Sequence, residues 1–223
     1  MIDIKNLTKS YRQNTIFEHV NLTLEDGKIY FILGKNGVGK TTFLKCLLHL
    51  ENYKGSFTYD SPSPRKFFAV YDDIPLYENL NGYDNIRLFS SEKKNVREMI
   101  DRFHGLPPTL LRKKVQYYSL GEKKKVLIMA ALLADPQYLI LDEIANGLDI
   151  DSLDWLKEQL LSLKKKCLIL VTGHYLEFYE KILDEVLTIH EKNICLTNLK
   201  GANLYDQYQK LSDPDKKGTF LSV

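Results

Sequence analysis

Runs of four or five apolar residues, each cut off by a charge or a hydroxyl, set the rhythm of this chain. Ile29-Tyr30-Phe31-Ile32-Leu33 comes first, followed by Phe67-Phe68-Ala69-Val70, Tyr138-Leu139-Ile140-Leu141 and Leu168-Ile169-Leu170-Val171. Short unbroken runs of this kind predict strands buried on both faces of a largely parallel sheet. The later three end in Asp72 and Asp73, in Asp142 and Glu143, and in Thr172 with His174. Open α/β sheets bind ligands at the carboxyl ends of their strands, so these groups are expected to meet in one crevice. Upstream, Val20, Leu22 and Leu24 alternate with polar residues before Asp26-Gly27. That pattern predicts a half-exposed strand turning through a tight hairpin into the Ile29–Leu33 strand.

From about residue 78 to 134 the strand runs give way to helical periodicity, broken by Gly105-Leu106-Pro107-Pro108. This stretch reads as a helical subdomain of at least two pieces inserted into the α/β core. Leu153, Leu156, Leu160 and Leu163 mark the core-facing side of a later amphipathic helix. Residues 186–189 and 194–196, around Glu191-Lys192-Asn193, predict a short closing hairpin. The end from about Asp213 is polar and expected to be mobile. No internal repeat is visible, and residues 1–223 are expected to form one domain.

At 223 residues and 44% hydrophobic, the chain can bury a sizeable core. Thirty-one basic and 29 acidic residues leave a net charge of +2, which gives no basis for a nucleic-acid partner. The clusters Arg112-Lys113-Lys114, Lys123-Lys124-Lys125 and Lys164-Lys165-Lys166 read as solvated helix faces or ends, with a phosphate or lipid surface as the alternative. Three scattered cysteines form neither a disulfide framework nor a metal cluster and suit a reducing cytosol. Early charges at Asp3 and Lys5 argue against a signal peptide, and no apolar run reaches the about 18 residues of a membrane span.

Gly34-Lys35-Asn36-Gly37-Val38-Gly39-Lys40-Thr41 fits G-x-x-x-x-G-K-[ST] between an apolar run and a helical pattern. In that setting backbone N–H groups wrap nucleotide phosphates, Lys40 adds a mobile positive charge, and the Thr41 hydroxyl reaches Mg²⁺. Nucleotide binding is the reading that follows.

Taken together, the motifs over roughly residues 1–198 resemble the ATP-binding subunit of an ATP-binding cassette (ABC) transporter, and they stand in that family's order. The resemblance implies a P-loop NTPase core with a mainly parallel sheet, an N-terminal antiparallel β-subdomain and an inserted helical subdomain. It places Tyr11 against adenine, the loop residues from Gly34 through Thr42 around the phosphates, and Asp142 in the Mg²⁺ shell. Glu143 would activate the attacking water, with His174 sensing the γ-phosphate and Lys40 neutralising charge. Tyr118-Ser119-Leu120-Gly121-Glu122 stands where the signature Leu-Ser-Gly-Gly-Gln is expected, so Ser119, Gly121 and Glu122 would contact nucleotide. Ser119 and Glu122 also fit a capping box, which predicts a helix start. Gly147-Leu148-Asp149 resembles the loop that crosses a dimer interface, Asp149 being its polar residue, and is otherwise a plain turn before a helix near Asp151.

Departures accompany the likeness. Leu120 replaces the first signature glycine, and Asp72 aligns where most relatives carry glutamine, with Asp73 as the competing alignment. Aspartate there could still ligate Mg²⁺. Leu76, Tyr77, Leu80 and Tyr83 would meet a membrane subunit or pack within the helical subdomain.

The resemblance implies an ATPase with ATP and Mg²⁺ as cofactors. Its partners would be a second copy or a related ATPase subunit and an integral membrane permease, at the cytoplasmic face of the cell membrane. Export is the weaker lean. A nucleotide-gated assembly module with little turnover is the alternative, and a soluble relative acting in translation or repair a third.

Overall fold

A computed structural model describes residues 1–60, 67–71, 75–89, 95–197, 199 and 203–212. Asp72 and Asp73, and the segment from about Asp213, lie outside the described residues.

The chain opens with β1 (Ile2–Tyr11), β2 (Asn14–Leu24), β3 (Ile29–Leu33) and α1 (Lys40–Leu47), followed by β4 (Lys54–Tyr59) and β5 (Phe67–Val70). A helical stretch comes next: α2 (Gly82–Arg87), α3 (Val96–Arg102), α4 (Pro108–Leu111), a 3₁₀ turn at Val115–Tyr117, and α5 (Leu120–Ala134). The chain then returns through β6 (Tyr138–Leu141), α6 (Ile150–Leu163), β7 (Leu168–Val171) and α7 (Leu176–Glu180). It closes with β8 (Glu185–His190), β9 (Asn193–Thr197) and α8 (Leu204–Ser212).

Two sheets form. One is three-stranded and antiparallel, in the order β2-β1-β4. The other has six strands in the order β5-β6-β7-β3-β8-β9, parallel throughout except for β9. The four apolar runs all lie in the second sheet, and their side chains alternate between two cores. Ile29, Phe31, Leu33, Leu139, Leu141, Ile169 and Val171 face α6 through Leu156, Leu160 and Leu163. Tyr30, Ile32, Tyr138, Ile140, Leu168 and Leu170 face α1 and the antiparallel sheet. With both faces covered, a strand needs no polar alternation, which is why these segments read as continuous runs.

The expected hairpin from residues 20–24 into β3 does not form. β3 is parallel to β7 on one side and to β8 on the other, so both its edges are taken. β2 instead pairs with β1, and Asp26-Gly27 is a crossover between sheets. The closing hairpin of β8 and β9 does form, over Glu191 and Lys192, both at positive φ.

A third apolar cluster holds the helical stretch together through Tyr83, Ile86, Ile100, Leu111 and Val115. Helix α5 belongs to two clusters. Leu127, Ile128 and Ala131 join the sheet core, whereas Val126, Met129, Ala130 and Leu133 join the helical cluster. None of the described helices is long and apolar enough to cross a membrane.

Candidate nucleotide site

The loop after β3 leads into α1 through Gly39, whose backbone is left-handed at φ 117. A Cβ on Gly39 would also come within 2.6 Å of the Ile16 side chain, so glycine is needed here for backbone shape and for room. Lys40 begins α1, and its Nζ donates to the carbonyl of Gly34 at 2.8 Å and of Lys35 at 3.3 Å. Burial holds the Lys40 amine below its ordinary value, against the opposing pull of the Glu143 and Asp142 carboxylates.

A cavity of ≈ 350 Å³ lies over this loop. Asn36, Gly37, Gly39, Lys40, Thr41 and Thr42 line one side, and Asp142, Glu143 and His174 the other. Gly34, Lys35 and Val38 stand behind it: the first two accept from Lys40, and Val38 packs against the core beside α1. The expected convergence of strand ends is therefore seen for β3, β6 and β7.

Asp142 and Glu143 are fixed by the next strand. The Thr172 hydroxyl donates to Asp142 Oδ1, and the Glu143 N–H donates to Thr172 Oγ1 at 3.1 Å. Glu143 Oε1 lies 3.2 Å from His174 Nε2, and its other carboxylate oxygen accepts from Asn146 Nδ2 at 2.7 Å. Glu143 itself has φ 58, a left-handed backbone that costs a non-glycine residue on the order of 1–2 kcal/mol. Gly173 lets the histidine loop approach the core, since a Cβ there would fall 2.4 Å from the Tyr179 ring. Tyr179 is itself buried against Phe31 of β3.

The cavity thus presents an ammonium, loop amides and hydroxyls to an anion, with a carboxylate–imidazole pair beside it. Those are the groups that phosphoryl transfer to water requires. Thr41 and Asp142 supply a hydroxyl and a carboxylate, hard oxygen donors of the kind Mg²⁺ takes together with water and phosphate. Among the described residues no three His, Cys, Asp or Glu side chains cluster as a self-sufficient metal site. The donor set fits a magnesium ion that arrives with a nucleotide.

Five expected residues sit away from this cavity. Ser119 and Glu122 make the capping box of α5: Ser119 N donates to Glu122 Oε2 at 2.7 Å, and Glu122 N to Ser119 Oγ at 3.2 Å. Gly121 faces the Gly147 carbonyl, and Asp149 caps α6 by accepting from Ser152 N at 2.8 Å. The Ser152 hydrogen bonds hold the Asp149 carboxyl below its ordinary value. Tyr11 lies at the end of β1, exposed, with Lys9 Nζ 4.2 Å from its ring centroid. It does not line the loop cavity.

Several contributors escaped the sequence reading. Tyr71 carries a buried hydroxyl with no partner among the described residues, and burial together with the Asp142 charge pushes its pKa up. Asn146 gave no signal beyond its place three residues after Glu143. Lys124 reverses an expectation, because it is only 1% exposed and its Nζ donates to the carbonyls of Asn146 at 2.7 Å and Glu143 at 3.2 Å. Its neighbours keep outward company, Lys123 with Glu78 and Lys125 over Trp155. A second cavity of ≈ 230 Å³ adjoins Gly34 and His174 and is bounded by Tyr205 and Tyr208 of α8.

Residues 17–146 match the model of the ABC transporter family. The chain belongs to that family. It is 32% identical to the lantibiotic transport ATP-binding protein SrtF of Streptococcus pyogenes over 88% of this chain and 90% of that protein. It is also 32% identical to the SkfA peptide export ATP-binding protein SkfE of Bacillus subtilis (strain 168), over 86% of each. The bacitracin transport ATP-binding protein BcrA of Enterococcus faecalis is 33% identical over 96% of this chain and 74% of its own length. A solved ATP-binding subunit of an ABC transporter superimposes with a TM-score of 0.81 at 26% identity, covering 96% of this chain and all of that one. The fold is accordingly the ABC ATPase fold, and this chain is an ATP-binding subunit of an ABC transporter and an ATPase.

Proposed function

We propose that this ABC ATPase drives export of a peptide through a membrane permease, and that it hydrolyses ATP only as a head-to-tail pair. The observation that carries the paired reading is the separation of its two half-sites. Lys40, Asp142, Glu143 and His174 share one cavity, whereas Ser119, Gly121 and Glu122 occupy a helix start outside it. A second subunit, identical or related, would present its own Ser119 end of α5 to the γ-phosphate, a seat that unpaired N–H groups and the helix dipole favour. With two copies the interface would be isologous and both sites equivalent.

In this reading the loop amides and Lys40 hold the β- and γ-phosphates. Thr41 and Asp142 would hold magnesium, which would supply charge neutralisation to the phosphates. Glu143 takes the proton of the attacking water, with its carboxylate oriented by Asn146 and His174. Tyr11 stacks on the base through its exposed ring. The single-domain reading of residues 1–223 belongs with this proposal, as does a place at the cytoplasmic face of the membrane through the permease.

Export of a peptide is supported by relatives named for lantibiotic transport and SkfA peptide export. A low-turnover, nucleotide-gated module is the second reading. It is favoured by Leu120, 54% exposed at the signature and lying against Gly147. Phosphate release measured with and without the permease separates the two, since only the transporter subunit speeds up when coupled.

The decisive test is E143Q. The variant is expected to bind ATP and form a nucleotide-stabilised dimer, with steady-state hydrolysis reduced at least about a hundredfold. Hydrolysis at the parent rate removes Glu143 as the base.

A further inference from the structure

We infer that Lys124 is a positioning residue: from inside the signature helix it holds the backbone turn that carries Glu143. The inference deepens the proposed mechanism and rests on Glu143 being the base.

A lysine at 1% exposure calls for an explanation, because an apolar side chain would fill the same space without a buried ammonium to satisfy. Here the ammonium meets the carbonyls of Glu143 and Asn146, the two ends of one tight turn. The same turn is closed by Asn146 N donating to Glu143 O at 3.2 Å. Glu143 is at positive φ, so its turn persists only while its surroundings over-determine it. Its N–H is fixed by Thr172, its carboxylate by Asn146 and His174, and its carbonyl by Lys124. Removing Lys124 releases the restraint supplied from helix α5.

Position along the helix gives this restraint a second consequence. Lys124 lies five residues after Ser119, about 7.5 Å along the axis of α5. The Ser119 end answers to the nucleotide of the opposing subunit, whereas the Lys124 contacts belong to the cavity of its own chain. A shift of α5 on nucleotide engagement therefore reaches the turn from Glu143 to Asn146 through one hydrogen bond at each end. Lys124 thus couples the two sites of the pair as well as steadying each of them. A misplacement of about 1 Å at a reacting group can cost on the order of a hundredfold in rate.

The test compares the parent protein with K124M, K124Q and E143Q, measuring kcat, KM for ATP and the affinity for a nonhydrolysable ATP analogue. K124M keeps the length of the side chain but loses the donor. It is expected to lower kcat by about ten- to a hundredfold while analogue affinity stays within about twofold of the parent. A KM effect with kcat intact overturns the inference, as does a folded K124M that turns over within about twofold of the parent. K124Q covers the case in which the methionine variant does not fold. Its shorter arm keeps a donor for the nearer Asn146 carbonyl, so kcat should fall about three- to tenfold with analogue affinity unchanged. A K124Q kcat equal to the parent overturns the inference. E143Q separates the two levels: if it is inactive while K124M is fully active, only the lysine role fails. If E143Q is active, the base fails and the lysine role with it.

Discussion

The two halves of the proposed composite site are built by opposite means. The loop half sits where three strands of one sheet end together, with the Asp142 carboxylate held by Thr172 and the Glu143 carboxylate by Asn146 and His174. The signature half is a single helix start, satisfied by its own capping box and facing outward. The first is assembled within one chain, and the second is, in the proposed pair, the surface offered to the other subunit. Binding and turnover should therefore respond separately to mutation.

K40A gives the largest expected effect. It removes the only lysine lining the loop cavity among the described residues, and analogue affinity of the isolated chain should fall about a hundredfold, measured by titration calorimetry. An affinity within about threefold of the parent would break the assignment of that cavity to phosphate. S119A sharpens the contrast from the other side. Analogue binding to the isolated chain should not change, turnover should drop about tenfold, and thermal unfolding should register a loss of about 1 kcal/mol from the missing cap. Equal losses in binding and turnover would mean that the halves are not separable. L120G gives the smallest effect: a glycine lets backbone approach phosphate more closely, so turnover should rise by about two- to threefold. A decrease would show that the exposed leucine contributes to the closed pair.

Much of this was legible in the sequence because it depends on local chemistry. The four apolar runs correspond to β3, β5, β6 and β7, since strands covered on both faces leave an unmistakable signature. The loop motif, Asp142-Glu143 and His174 came together as their places at strand ends implied. The capping box was visible as a four-residue spacing. What was missed depends on partners distant in sequence. Strand β2 gives no sign that β3 has both edges occupied, so a hairpin was the natural reading. Lys123-Lys124-Lys125 reads as a solvated face in the sequence, although α5 is covered on two sides and only the middle lysine turns inward. The accepting carbonyls that make this possible are backbone groups, to which sequence is blind. Asp149 shows a third kind of ambiguity, because the same aspartate suits an interface loop and a helix cap, and the cap is the contact seen within one chain.

Helix α5 carries one further consequence. The apolar mass of the sheet and that of the helical stretch both grip this one rod, on different sides. Interiors pack as densely as organic crystals, so a displacement of the helical layer meets the sheet through close contacts along that rod. One helix thereby makes the two apolar layers answer to each other, and loosening either grip should free the other.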